Sequence, residues 1–279
     1  MILIDGKKIQ KEILEQVERE IRRLPFVPVF CDILVGEDPV SVQYVKMKAR
    51  MAGSVGIKFQ NAFFPSSITT EELLKEIENL NKVENMCGII IQLPLPEHID
   101  KRLALDAIDA RLDVDCLGTS ASTNFYNGDF SLGFPTALAC LYLLDSLDLD
   151  LKNKNIVIIG KGELVGRPVK KLLEARNLAT FVVDSKTTEE EKAKVLQEAD
   201  VIISATGQGK MLTGNMVKRG AVLIDAGTSE SNAGIVGDID LESISDVAGY
   251  VSPVPGGVGP VTVAILLQNV LKVAKGISK

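Results

Sequence analysis

The sequence predicts an α/β protein of two domains, the second of them a Rossmann-type dinucleotide-binding domain. Three observations predict it. Short apolar runs recur: Val27–Val35, Gly88–Ile91 and Asn155–Ile159 read as strands buried in a parallel sheet, and Thr180–Val183, Ala199–Ala205 and Ala221–Ile224 as further strands. Stretches between them carry helical spacing, and the run ending at Ile159 opens into glycines at 160, 162 and 166 and then a helix. The length of 279 residues suits one large or two modest domains.

Composition removes several function classes. Hydrophobic residues make up 46% of the chain, ample for a core, and the net charge of −6 argues against a general nucleic-acid binder. No apolar run reads as long enough to cross a bilayer, and the start, MILIDGKKIQKEILEQ, has no cleavable signal pattern. Cys31, Cys87, Cys116 and Cys140 show no C-x-x-C pairing and read as reduced cytosolic thiols, neither a disulfide frame nor a zinc site. The single histidine, His98, excludes a histidine-based metal cluster and reads as a surface residue.

In chain order, Ile9, Ile13, Val17 and Ile21 share one helix face. The strand Val27–Val35 ends in the turn Gly36–Pro39, and Ser41 is the expected N-cap of the next helix. That helix places Tyr44 and Lys48 four apart, one above the other. A desolvated lysine beside a phenol suits general-base work. Spacing alone favours a solvated basic face of Lys46, Lys48 and Arg50. Leu73–Leu80 is a short amphipathic helix. The strand Gly88–Ile91 runs into Gln92, Leu93 and Pro94, an amide and a stiff turn just past a strand's carboxyl end, where parallel sheets bind ligands. Gln92 in that position either meets a substrate or satisfies its own loop. Asp113 and Asp115 alternate without a further metal-ligand cluster. Thr136–Leu144 reads as a linking helix, and the second domain begins near Leu151.

In that second domain the spacing G-x-G-x-x-x-G is one residue longer than the usual dinucleotide fingerprint. Asp184 ends the second strand, where an acid binds adenosine ribose hydroxyls and disfavours a 2′-phosphate; Lys161, Ser185 and Lys186 stand ready to hold one. Further strands end at Thr206-Gly207 and at Gly227-Thr228. The chain closes on VSPVPGGVGPVTV, residues 251–263, whose prolines and glycines predict a shaped loop, with a possible cis proline, feeding a last helix over Val263–Ala274.

These blocks together resemble the bifunctional methylenetetrahydrofolate dehydrogenase/methenyltetrahydrofolate cyclohydrolase family. PVPGGVGPVT is similar to its PVPGGVGPMT, SVQYVKMKARMAGSVGI to its S-x-x-Y-V-x-x-K-x-K segment, GIIIQLPLP to its G-I-L-V-Q-L-P-L-P, and the glycine loop to its G-R-S-x-x-V-G-x-P. The resemblance covers nearly the whole chain. It implies an N-terminal α/β substrate and catalytic domain (1–140 plus 264–279) and a Rossmann-type NAD(P)-binding domain (141–263) with a cleft between them, the last helix packing back on the first domain.

It also implies the site. Lys48 is the catalytic lysine, Tyr44 and Gln92 orient it, and Asp115 anchors the pterin ring, with Asp113 as its neighbour. Tyr44, Gln92, Leu93 and Pro94 line the folate from one side, and Pro255, Gly256, Gly257, Pro260 and Thr262 from the other. The dinucleotide falls to Gly160, Lys161, Gly162, Val165, Gly166 and Arg167, then to Asp184, Ser185 and Lys186, then to Thr206, Gly207, Gly227 and Thr228. The cofactor expected is NADP, with NAD as the alternative that Asp184 raises, and no metal. A folate substrate, a homodimer, a cytoplasmic location and no nucleic-acid or membrane partner complete the expectation. Departures fall at Cys116, where the family has glycine, and at Lys161, Gly162 and Asp184, where it has Arg, Ser and His. They keep three rivals open: a monofunctional NAD-linked dehydrogenase, a shikimate-dehydrogenase-like enzyme, and a silent folate- or nucleotide-binding protein.

Overall fold

A computed structural model describes residues 1–231 and 234–278. In chain order the elements are β1 (Ile2–Leu3), α1 (Gly6–Ile21), β2 (Val29–Val35), α2 (Pro39–Ser54), β3 (Lys58–Phe64), α3 (Thr70–Asn81) and β4 (Met86–Ile91). Then come α4 (Lys101–Asp106), α5 (Thr119–Tyr126), α6 (Pro135–Asp145), β5 (Ile156–Ile159), α7 (Gly166–Ala175), β6 (Thr180–Val183) and α8 (Glu189–Glu198). The last are β7 (Val201–Ser204), a single 3-10 turn (Gly214–Met216), β8 (Val222–Asp225), β9 (Ser229–Ser231), β10 (Gly234–Val236), β11 (Tyr250–Val251) and α9 (Val258–Ile277). The chain divides into two compact units: Lys11–Pro135 with the segment from Val263 onward, and Met1–Gln10 with Thr136–Thr262.

The first unit is built on a three-stranded parallel sheet in the order β3-β2-β4. Strand β2 is buried at every position, as its apolar run requires. Side chains alternate across it. Val29, Cys31, Ile33 and Val35 join Ile89 and Ile91 of β4 and Leu73 and Ile77 of α3 in one core, which leaves Phe30, Asp32 and Leu34 for the opposite face. Helix α3 carries a capping box, in which the Thr69 hydroxyl accepts from the Glu72 N–H and the Glu72 carboxylate accepts from the Thr69 N–H. Helix α2 is capped by Asp38, whose carboxylate accepts the Ser41 N–H at 2.8 Å. This corrects the expectation that Ser41 caps it: Pro39 occupies the first helical position, so the cap falls one residue before it. Edge strand β3 alternates between exposed and half-buried residues, which hides it in a search for continuous apolar runs.

The second unit holds a six-stranded, all-parallel sheet in the order β1-β11-β8-β7-β5-β6. The order reverses between β5 and β7, which makes the loops after those strands the topological switch point where doubly wound sheets bind ligands. The first ten residues, expected in the other domain, group here because β1 pairs in parallel with β11.

Two readings of the C-terminal stretch are corrected. Helix α9 starts at Val258, so Pro260 and Thr262 lie in its first turns and the loop ends at Gly257. Proline is accommodated there because first-turn N–H groups have no intrahelical partner. Helix α9 is also long and apolar enough to cross a membrane by length and composition, with a mean hydropathy of 1.3, against the expectation that no run is. Most of its apolar residues are core residues of the protein: Val261, Ile265, Leu267, Val270 and Ala274 are all buried, while Ile277 at its end is exposed. Asn269 in the same helix donates to the carbonyls of Val114 and Gly133 at 2.9 and 2.8 Å.

Candidate active site and dinucleotide-binding site

In the first unit a charged cluster gathers where the sheet's carboxyl ends meet α2. Lys48, on the buried face of α2, is 6% exposed. Its Nζ donates to Gln92 Oε1 at 2.8 Å and lies 2.6 Å from Asp32 Oδ2. Gln92 follows β4 directly; its backbone N–H bonds Ile33 O, and its side-chain amide donates to Leu93 O at 2.8 Å. The turn beyond it contains a cis Leu93–Pro94 bond. Tyr44 is half-buried one helical turn before Lys48.

The loop after Leu112 supplies the remaining carboxylates, and they differ in role. Asp113 is 2% exposed and accepts the Gly118 N–H at 2.8 Å, so its carboxylate is used up in shaping its own loop. Asp115 shares the charged cluster. Burial pushes its carboxyl up to about 7; Lys48 opposes the rise, and Asp113 and Asp32 reinforce it. Directly after Asp115, Cys116 adopts φ +58°, the left-handed region a glycine enters without cost. The resemblance therefore identified a real conformational requirement, which this chain meets with a buried cysteine. Lys272, held below its usual range by burial, stands beside that thiol and donates to Asn269 Oδ1.

Asp32 was missing from the sequence reading. Its signal was visible: a carboxylate inside the otherwise apolar run VFCDILV. It is fully buried, and burial raises its carboxyl against the pull of Lys48. His98, by contrast, is an exposed residue whose Nε2 meets Ile68 O at 2.9 Å.

In the second unit the glycine loop is shaped by close backbone approach. Gly160 has φ +98°, and a Cβ on it would stand 2.5 Å from Ala205 O; one on Gly166 would stand 2.1 Å from Gly160 O. The first and last glycines thus let the β5 turn, the β7 turn and the start of α7 meet. Gly162 faces open space. Helix α7 starts at Gly166, preceded by Val165; the Arg167 N–H donates to Gly162 O at 3.1 Å, which closes the loop onto the helix N-terminus, and the Arg167 side chain is exposed. Residues 160–166 thus form an open glycine turn at a helix N-terminus, the place where a doubly wound sheet holds a pyrophosphate.

At the end of β6, Asp184 accepts the Lys186 N–H at 2.9 Å and meets Lys161 Nζ at 3.4 Å, and these donors hold its carboxyl below the usual range. Ser185 and Lys186 are exposed beside it.

The turns after β7 and β8 are fixed by two buried aspartates that the sequence reading also missed. Asp238 Oδ2 accepts from Ser204 Oγ and Thr206 N, both at 2.7 Å, and Oδ1 from Gln208 N at 2.9 Å. Asp225 accepts from the N–H groups of Gly227, Asp238 and Ile239. Gly207 and Thr228 lie exposed on the two turns so held.

The loop before α9 is tied to this sheet, since Ser252 Oγ accepts the Asp225 N–H at 2.7 Å. It contains a cis Val254–Pro255 bond and Gly256 at φ +112°. Gly257 N donates to Pro253 O at 2.7 Å, and Thr262 Oγ1 to Val258 O at 3.1 Å. Among the described residues no group of three or more His, Cys, Asp or Glu is arranged to hold a metal ion.

A doubly wound dinucleotide-type sheet in one unit and a buried lysine–amide–carboxylate cluster in the other define a two-unit nucleotide-linked enzyme of the α/β class. Family models fix which one. The catalytic-domain model of tetrahydrofolate dehydrogenase/cyclohydrolase matches residues 4–115, and that family's NAD(P)-binding-domain model matches residues 135–278. The chain is 41% identical over 277 residues to the bifunctional protein FolD of Hydrogenobaculum sp. (strain Y04AAS1), covering 99% of each. It is 37% identical, at a TM-score of 0.94 and 99% coverage of both chains, to the bifunctional enzyme FolD, methylenetetrahydrofolate dehydrogenase/cyclohydrolase, from Campylobacter jejuni. The Trypanosoma brucei N5,N10-methylenetetrahydrofolate dehydrogenase-cyclohydrolase complexed with NADP cofactor and inhibitor is 33% identical, with a TM-score of 0.93 and coverage of 99% and 98%. This chain belongs to the tetrahydrofolate dehydrogenase/cyclohydrolase family.

Proposed function

We propose that this chain oxidises 5,10-methylenetetrahydrofolate to 5,10-methenyltetrahydrofolate with NADP and then hydrolyses the product to 10-formyltetrahydrofolate. The observation that carries the reading is the buried Lys48, bonded to Gln92 and close to Asp32, in a chain of this family. Two of the relatives named above are bifunctional enzymes, and the third, a dehydrogenase-cyclohydrolase, is complexed with NADP.

Lys48 directs its ammonium at the one-carbon unit and moves the proton during hydrolysis, with Gln92 and Tyr44 setting its position. Asp115 receives the pterin's amino and ring N–H donors. Leu93 and Pro94 contact the folate, and Pro255, Gly256, Gly257, Pro260 and Thr262 are assigned to folate binding as well. Asp113 supports Asp115 from behind through the loop it shapes.

NADP, when bound, accepts the hydride and so supplies the redox chemistry without a metal. The glycine cradle with Lys161, Val165 and Arg167 fits its pyrophosphate. Ser185 and Lys186 fit its 2′-phosphate, and the turns at Thr206-Gly207 and Gly227-Thr228 fit its nicotinamide end. We read the protein as a homodimer of the cytoplasm, with neither nucleic acid nor membrane as a partner. Its 10-formyltetrahydrofolate is then available for purine biosynthesis.

The test is hydrolysis of methenyltetrahydrofolate by purified wild-type protein and by Lys48→Met. Rapid hydrolysis by the wild type that is lost in the variant supports the reading. Equal rates in both remove Lys48 from the reaction.

A further inference from the structure

Asp32 lies outside every motif that identifies the family, yet it makes the shortest charged contact in the site. It sits on the face of β2 opposite Cys31 and Ile33, in register with Asn61 of β3 and Ile90 of β4. None of its surface reaches solvent. Its Oδ1 has no hydrogen-bond partner among the described residues, and Oδ2 is compensated only by the Lys48 ammonium 2.6 Å away. A carboxylate so placed costs several kcal/mol to desolvate, and an apolar side chain at the same strand position is generally as stabilising as the ion pair. Stability therefore does not account for Asp32.

The groups that face the pair are few. Gln92 Oε1 reaches Lys48 from the end of β4, Asp115 feels both charges from its loop, and Asp113 lies behind Asp115. Cys31, next to Asp32 in β2, is kept a neutral thiol by burial, which pushes it up to about 12.

We propose that Asp32 is a positioning residue that sets where the Lys48 proton resides during hydrolysis of the methenyl group. The inference rests on the function proposed above. With the shared proton on Asp32, Lys48 is an amine. As the water oxygen bonds to the methenyl carbon, Lys48 takes a proton from that water, and the substrate's positive charge passes to the pair. The bond from that carbon to N5 then breaks. N5 takes a proton from the Lys48 ammonium, and the hydroxyl proton of the intermediate returns to the amine as the formyl C=O forms. One net proton finally leaves through Lys48, which retains slight exposure while Asp32 has none.

The experiment uses full-length wild type, Asp32→Asn and Asp32→Val, the last a β-branched residue that a buried strand accepts. Thermal melts identify the folded variants. Methenyltetrahydrofolate hydrolysis is followed across the neutral pH range, and carbamylation of Lys48 by cyanate is read by peptide mass spectrometry. The expected result is a loss of roughly tenfold or more in kcat near neutrality, with KM little changed and the pH profile displaced. Carbamylation of Lys48 is expected to change several-fold. A variant whose pH profile and carbamylation rate both superimpose on the wild type overturns the proposal. Wild-type protein that hydrolyses nothing overturns the function instead, while the carbamylation comparison still decides whether Asp32 governs the Lys48 charge.

Discussion

Lys161 Nζ lies 3.4 Å from Asp184 Oδ2, and the Lys186 N–H occupies the other oxygen of that carboxylate at 2.9 Å. An acid at the end of the second strand ordinarily repels a 2′-phosphate. Here it is partly neutralised by two donors that themselves attract one. Lys161 is 60% exposed in its side chain, so the pair adds little stability, and its consequence is for selectivity. Lys161→Ala is expected to lower kcat/KM with NADP by roughly tenfold and to leave NAD far less affected. Asp184→Ser is expected to strengthen NADP use. Equal losses with both dinucleotides in Lys161→Ala would contradict this arrangement.

Removing Lys48 has a structural cost that follows from Asp32. In Lys48→Met the carboxylate of Asp32 loses the charge that, among the described residues, compensates its burial. The variant should be less stable by about 3–5 kcal/mol in urea unfolding, because breaking a buried pair from one side strands the other. The double variant Asp32→Val/Lys48→Met should recover most of that loss while remaining unable to hydrolyse the methenyl substrate. No recovery in the double variant would show that the pair is not the source of the cost.

Asp115 predicts opposite pH trends for stability and activity. Its carboxyl is raised by burial from 3.8 to about 7 in the folded protein. A folded value above the unfolded one gives stability that is complete below the unfolded value and is lost as pH rises through the folded value. The melting temperature of the ligand-free protein should therefore fall between these limits. Over the upper part of that window kcat/KM for methylenetetrahydrofolate should rise, because the ionised carboxylate receives the pterin donors. Asp115→Asn should flatten the rise in activity, measured beside the wild type at matched ionic strength. A rise that persists unchanged in the variant would assign it to another group.

The turn after β8 depends on one glycine. A Cβ on Gly227 would lie 2.0 Å from Asp238 Oδ1, and that carboxylate holds Ser204, Thr206 and Gln208. Gly227→Ala must push the carboxylate away from those donors, at a cost of about 2 kcal/mol or more. Weakened NADP binding is expected with it, read by fluorescence titration, because the turns at Thr206 and Thr228 lose their anchor. Wild-type affinity in a folded variant would show that the turn adapts.

Much of this arrangement was legible in the chain. Buried parallel strands announce themselves as unbroken apolar runs, which is why β2, β4, β5, β7 and β8 were found. Lys48, Gln92 and Asp115 were found through the resemblance, and the structure brings them together with Asp32. What stayed hidden has physical causes. Strand β3 is a half-exposed edge strand without a continuous run. Strand β1 is two residues long and is defined by its partner β11 at the far end of the chain, which no local pattern records. Asp32, Asp225 and Asp238 owe their roles to neighbours distant in sequence. Helix α9 begins within the proline-glycine stretch because its first turn needs none of the N–H groups that Pro260 lacks.

The measurement that bears most directly on the function is a matched assay of purified protein with methylenetetrahydrofolate, once with NADP and once with NAD. Reduced nicotinamide and methenyl absorbance are followed together. The account predicts turnover with NADP and no accumulation of the methenyl product, because Lys48 and its partners hydrolyse it as it forms. Steady accumulation of methenyltetrahydrofolate, or turnover with NAD alone, would contradict it.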